Sequence, residues 1–154
     1  MYCYVSLLKS TLNLIENMID LALSSAGGQI VMASSNDSRF LPRNILDGKL
    51  DTFWITTGLY PQCFVLSLSE AADVKAITVH SYNIKDLRIE KSIKEDPVEF
   101  QEILETGLES TEGTPQQKTF SPSLCEARYL KFVINSGYDH FCTVFKITVN
   151  GTVL

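Results

Sequence analysis

The sequence predicts an all-β chain, an antiparallel β-sandwich, on three observations. Apolar residues recur with a period of two through runs such as "CFVLSL", "LRIEKS" and "RYLKFVI". Turn-forming clusters separate the runs: "SSNDS", "DG", "SPS", "NSG" and "NG". The chain has 154 residues, 45% hydrophobic and 20% charged, which suits one domain. A chain of that size hides roughly 70% of its unfolded surface and needs no covalent staples.

In chain order, residues 1–17 read as an extension ahead of a domain over 18–154. Tyr4, Leu8, Thr11, Ile15 and Met18 stand at helical spacing, which predicts a short amphipathic helix. The segment departs from a signal peptide, because Lys9 is its single positive charge and Ser10, Thr11 and Asn13 interrupt the apolar run. No stretch reaches the length of a membrane span. From residue 19 the period is two. "IDLAL" sets Ile19, Leu21 and Leu23 on one face, and "QIVMA" (29–33) is a short strand after the Gly27-Gly28 break. "CFVLSL" aligns Phe64, Leu66 and Leu68, and "VKAITVHSY" aligns Ile77 and Val79. "LRIEKS" turns Leu87 and Ile89 inward with Arg88 and Glu90 outward. "RYLKFVI" aligns Leu130, Phe132 and Ile134, and "VFKITV" aligns Phe145, Ile147 and Val149. Residues 93–118 are polar and poorly periodic. A strand or helical turn around Val98–Leu104 and then a long mobile loop are expected there.

Net charge is −5 and no basic patch occurs, so nucleic acid and anionic membranes are poor partners. Cys3, Cys63, Cys125 and Cys142 form no CxxC pair, which argues against zinc. Their wide, irregular spacing suits free, buried thiols in a reducing compartment better than disulfides. The sequons at Asn36 and Asn150 matter only in the secretory pathway.

One stretch, "NILDGKLDTFWITTG" (44–58), breaks the alternation and holds the chain's one tryptophan, Trp54. It has two readings. In the first, "DG" is a tight turn and Trp54 an ordinary core aromatic. In the second the stretch is a calcium loop. A hard cation needs six to eight oxygens, and a tight turn curls backbone carbonyls toward one point. Asp47 then supplies charge, Gly48 the curl and Thr52 a hydroxyl oxygen. The alternating acidic ligands and distal Glu of an EF-hand are absent, so such a site would be structural rather than a sensor.

The pattern Asp-Gly, a few residues, then Thr-x-Trp resembles the loop of the galactose-binding-like, discoidin-type jelly-roll superfamily. More narrowly, "IDLALSS", "NILDG", "TFWITTGLYPQ", "RIEKS", "TEG", "YLKFVI", "DHF" and "GTV" run in the same order as in the intraflagellar transport protein 25 family. That family is also catalogued with the beta-type small heat-shock proteins, although no crystallin-type signature occurs here. The resemblance covers 18–154 and implies a jelly roll with residues 1–17 outside the pattern. It implies structural Ca²⁺ held by Asn44 (backbone oxygen), Asp47 (carboxylate) and Thr52 (hydroxyl and backbone oxygen). Relatives often carry an acidic residue before the final Gly-Thr-Val. Here Asn150 stands there, a possible fourth ligand without charge. The resemblance further implies a non-enzymatic subunit of the intraflagellar transport B complex, in the cilium and cytoplasm, meeting other subunits of that complex. Its direct partner would be a Rab-like small GTPase, and its role export of the BBSome and signalling receptors from the cilium.

No nucleophile elbow or phosphate loop occurs. Asp139 and His140 are adjacent, so on a strand they point to opposite faces and make no triad. They are expected at a loop and strand start. An extracellular carbohydrate-binding module is the alternative, with Phe40, Tyr60, Tyr82 and Tyr138 as candidate sugar-facing aromatics. A Doc-like adaptor in a ubiquitin ligase is a third reading that the same fold permits.

Overall fold

A computed structural model of the chain describes residues 19–154, so the helix expected over 1–17 lies outside the described residues. Eight strands run antiparallel: β1 (Gln29–Ala33), β2 (Trp54–Ile55), β3 (Gln62–Tyr82), β4 (Ile84–Ser92), β5 (Gln101–Gly107), β6 (Gln116–Phe120), β7 (Cys125–Gly137) and β8 (Thr143–Val153). Two short 3-10 turns, Ser24–Ala26 and Pro42–Leu46, complete the regular structure of the described residues. The antiparallel sandwich read from the alternation is the architecture found.

The two runs "CFVLSL" and "VKAITVHSY" belong to one 21-residue strand, β3. Its first half pairs with β1 and β7, and its second half with β6 and β8. The pairing with β7 slips between Ser67 and Ala72, where β3 passes from one layer to the other. One layer is therefore β1-β3-β7-β4-β5 and the other β6-β3-β8-β2. Trp54 of β2 meets Phe64 of β3 edge-on at 5.3 Å, and Phe64 stacks on Phe132 of β7 at 4.9 Å. These rings join the two layers. Around them lie Leu66, Ile77, Val79, Leu87, Ile89, Leu130, Ile134, Ile147 and Val149, all buried. Period-two alternation put each of these residues inside, since one-sided strands bury every second side chain.

Several local expectations are corrected. "IDLAL" is not a strand face: Asp20 makes one bridge to Asn150, the chain then turns, and Ile19 is 70% exposed. The "NG" at 150–151 is no turn but lies inside β8. Gly151 is there because a Cβ would come within 2.2 Å of the Asp73 carbonyl oxygen. "NSG" likewise ends β7, where a Cβ on Gly137 would meet the Tyr60 hydroxyl at 2.2 Å. Phe145 does not join Ile147 and Val149 in the core. The β3–β8 register slips between His80 and Ser81, leaving Phe145 half-buried at a bulge. In the polar tract, β5 takes the place of the strand or turn expected at 98–104. Its long loop is shortened by β6, a five-residue edge strand whose mostly exposed side chains hide it from a hydrophobic pattern. Gln116 anchors β6: its side chain is buried and bonds the backbone of Ile84 and Glu109.

Cys125 and Cys142 are buried and Cys63 half-buried, all as free thiols. Burial pushes the Cys142 thiol up to about 11, the pattern of an inert core sulfur.

Candidate functional site

The 44–52 loop starts from a 3-10 turn that Pro42 opens, its fixed φ suiting a first helical position. Asp47 caps that turn, and Gly48 follows at φ +78°, a left-handed conformation that a side chain resists. The Asp47 carboxylate then organises the reversal. Oδ1 accepts the Lys49 N–H at 2.9 Å, and Oδ2 accepts the Thr52 hydroxyl. Asn44 closes the loop from within by donating its side-chain amide to the Phe53 carbonyl at 3.1 Å. Three of the four predicted ligand residues are thus drawn into one loop, with Asp47 and Thr52 in direct contact.

Below the loop Trp54 is fully buried and donates its indole N–H to the Ser35 carbonyl at 2.8 Å. Phe53 stacks on Phe40 at 4.7 Å and meets Phe145 edge-on at 5.7 Å, so the loop abuts β8. On its other flank, Ser24 donates to the Leu46 carbonyl at 3.2 Å.

Asn150 lies on β8, opposite Ala76 on one side and Asp20 on the other. Asp20 was not singled out by sequence. Its Oδ1 accepts the backbone N–H groups of Ala22 and Val149, each at 3.0 Å, while Oδ2 is buried with no hydrogen-bond partner. Burial raises its pKa above the usual carboxylate range, against the opposing pull of those two N–H groups and Lys146. The signal that could have marked it is a lone acid inside the apolar run "MIDLAL".

Among the described residues no group of three or more His, Cys, Asp and Glu forms a metal cluster. The loop offers a different donor set: one carboxylate, one hydroxyl and backbone carbonyls, while Asn150 is placed against Ala76 and Asp20 rather than in the loop. Such an all-oxygen set fits a hard cation with a single ligand charge and does not fit zinc or copper. Asp47 and Thr52 would hold it, their present hydrogen bond giving way to coordination.

The other candidates are dispersed. Tyr60 and Tyr138 line a shallow cleft of about 450 Å³ with Leu59 and His140, whereas Phe40 belongs to the aromatic stack beside the loop. Tyr82 ends β3 opposite Thr143. Asp139 and His140 sit exposed in the bend before β8, and Asp139 accepts the His140 backbone N–H at 2.7 Å. They hold a bend, as expected for a loop, but the strand start expected here falls three residues later, at Thr143.

A family model, the F5/8 type C domain, matches residues 30–147. In structure the chain is similar to a Clostridium perfringens domain solved in complex with GalNAc-β-1,3-galactose, with a TM-score of 0.73 and 22% identity. That alignment covers 83% of this chain and 98% of the other. The fold is therefore the discoidin-type, galactose-binding-like jelly roll, built as an F5/8 type C domain.

In sequence the chain is 39% identical over 136 residues to the Homo sapiens intraflagellar transport protein 25 homolog, covering 88% of this chain and 94% of that protein. It is 40% identical over 134 residues to Chlamydomonas reinhardtii intraflagellar transport protein 25, covering 87% and 70%. The chain belongs to the intraflagellar transport protein 25 family.

Proposed function

We propose that the protein is a non-enzymatic docking subunit of the intraflagellar transport B complex. It pairs with a Rab-like small GTPase and meets other subunits of the complex in the cilium and cytoplasm, where it serves export of the BBSome and signalling receptors. The observation that carries this reading is the 39–40% identity to proteins named for intraflagellar transport over nearly the whole domain. The arrangement of the polar groups supports a scaffold rather than an enzyme: Asp47, Asp139, Gln62 and Gln116 each secure a turn or strand end. Affinity capture from ciliated cells followed by mass spectrometry tests it. Recovery of a small GTPase at equal stoichiometry is the expected result.

The same reading includes a structural Ca²⁺ at Asn44, Asp47 and Thr52, with Asn150 as a possible fourth ligand. The converging oxygens of Asp47 and Thr52 support it; the uncharged Asn150, where relatives often carry an acid, lowers the affinity expected. Bound calcium would stiffen the loop that sits over Trp54.

The carbohydrate-binding alternative draws on the cleft of Tyr60, Tyr138 and His140. A glycan array separates the two: a selective sugar signal abolished by Tyr138→Ala favours the lectin reading.

A further inference from the structure

Among the described residues β5 is the outermost strand of its layer and pairs with β4 alone. Its other edge presents backbone N–H and C=O groups that no strand among the described residues pairs with, the template by which sheets accept another strand. Across from it runs β6, and between them lies a groove of about 660 Å³ lined by Leu104 of β5, Phe120 of β6 and Leu124. Lys91 lines the groove and reaches the Leu124 carbonyl at 3.5 Å, so its ammonium is turned to a backbone oxygen.

Two further features distinguish this edge. Leu124 is 94% exposed and adopts φ +52°, a left-handed conformation that is strained for a branched residue. An apolar side chain is thus held in water at the mouth of the groove. The second feature is charge. The β4–β5 register slips between Ile89 and Glu90, so that Glu105 pairs with Arg88 and Glu102 with Glu90 on the outward face. Arg88 is engaged with Glu90 at 3.0 Å, and neither Glu102 nor Glu105 forms an ion pair among the described residues.

We propose that the outer edge of β5 receives an extended segment of a partner protein that alternates basic and apolar side chains. Backbone groups of the segment pair with the free edge. Its basic side chains meet Glu102 and Glu105 outside, and its apolar ones enter the groove against Leu104, Phe120 and Leu124. A second copy of this chain is the poorer occupant. Antiparallel self-pairing centred between Ile103 and Leu104 sets Glu102 against Glu105 in both directions, and like charges directly opposed repel. The inference rests on the docking reading above for its biological setting, but its test does not use that setting.

The test uses the purified full chain and a synthetic peptide of about nine residues alternating lysine and valine. Fluorescence anisotropy should show saturable binding, and hydrogen exchange should show new protection of the β5 amides. The double variant Glu102→Lys/Glu105→Lys should weaken binding by about tenfold or more. Glu70→Lys/Asp96→Lys changes net charge equally elsewhere and should stay within about twofold; matched melting curves confirm that both variants fold. The proposal is overturned if the peptide does not bind, if β5 gains no protection, or if a peptide with its lysines and valines in two separate blocks binds as well. Such a failure would leave capture of a small GTPase from ciliated cells unaffected, so the two readings fail separately.

Discussion

The Thr52 hydroxyl donates to Oδ2 of Asp47, five residues earlier, while the other oxygen of the same carboxylate holds the Lys49 N–H. One exposed carboxylate therefore closes the loop at two points. In the proposed calcium-bound state the same oxygens would be the ligands. Asp47→Ala is expected to lower the melting temperature measured in calcium and to abolish the calcium-dependent shift. Thr52→Val should reduce that shift while leaving the Lys49 contact. If EDTA leaves the wild-type melting curve unchanged, calcium has no structural part here.

Trp54 lies beneath the loop with no exposed surface and one hydrogen bond, to the Ser35 carbonyl. Trp54→Ala should cost about 3–5 kcal/mol in denaturant titrations, the range for large aromatic truncations in cores. Trp54→Phe retains most of the packing but leaves a buried carbonyl without its donor, a loss of about 1–3 kcal/mol.

Asp20 makes a prediction of unusual sign. Burial raises its folded-state pKa above the unfolded value. Between those two values the folded chain holds more protons than the unfolded one, so stability rises as pH falls through that window, opposite to the usual carboxylate. Asp20→Asn keeps an oxygen for the Ala22 and Val149 N–H groups and removes the charge. Its stability relative to wild type should therefore be most favourable at neutral pH and decline as the wild-type group protonates. Asp20→Ala loses the acceptor and should destabilise at every pH. Thermal melts across pH 4–8 (about one unit per step) separate these outcomes.

Gly151 tests the close approach of β8 to β3. A Cβ there would stand 2.2 Å from the Asp73 carbonyl oxygen, a contact that only backbone movement can relieve. Gly151→Ala should destabilise by about 1–3 kcal/mol, as overpacking does. Gly113→Ala meets nothing within 4 Å and so isolates the strain of a positive φ in the same measurement.

The strands and their inward faces were legible because one-sided burial writes a period of two into the sequence. Phe64, Leu87, Leu130 and Ile147 are all where that period puts them. The loop was legible because Asp47, Gly48, Thr52 and Trp54 are each chemically specific for a turn, a cap or a core. Features set by partners distant in sequence were not. Asn150-Gly151 looks like a turn until Asp73 is placed against it. Phe145 leaves its expected face through a slip against β3, and β6 is held by the buried amide of Gln116 rather than by apolar residues. Asp20 was missed for the same reason, since its role depends on the Val149 N–H, 129 residues away.

The central claim, that this jelly roll works as a docked subunit of the intraflagellar transport machinery, is tested most directly by size fractionation of extracts from ciliated cells carrying a tagged chain. The account predicts migration with the intraflagellar transport particle, together with a small GTPase, and enrichment in isolated cilia. Recovery as a free species near its own mass of 17.2 kDa, or in the medium with glycan on Asn36, would contradict it.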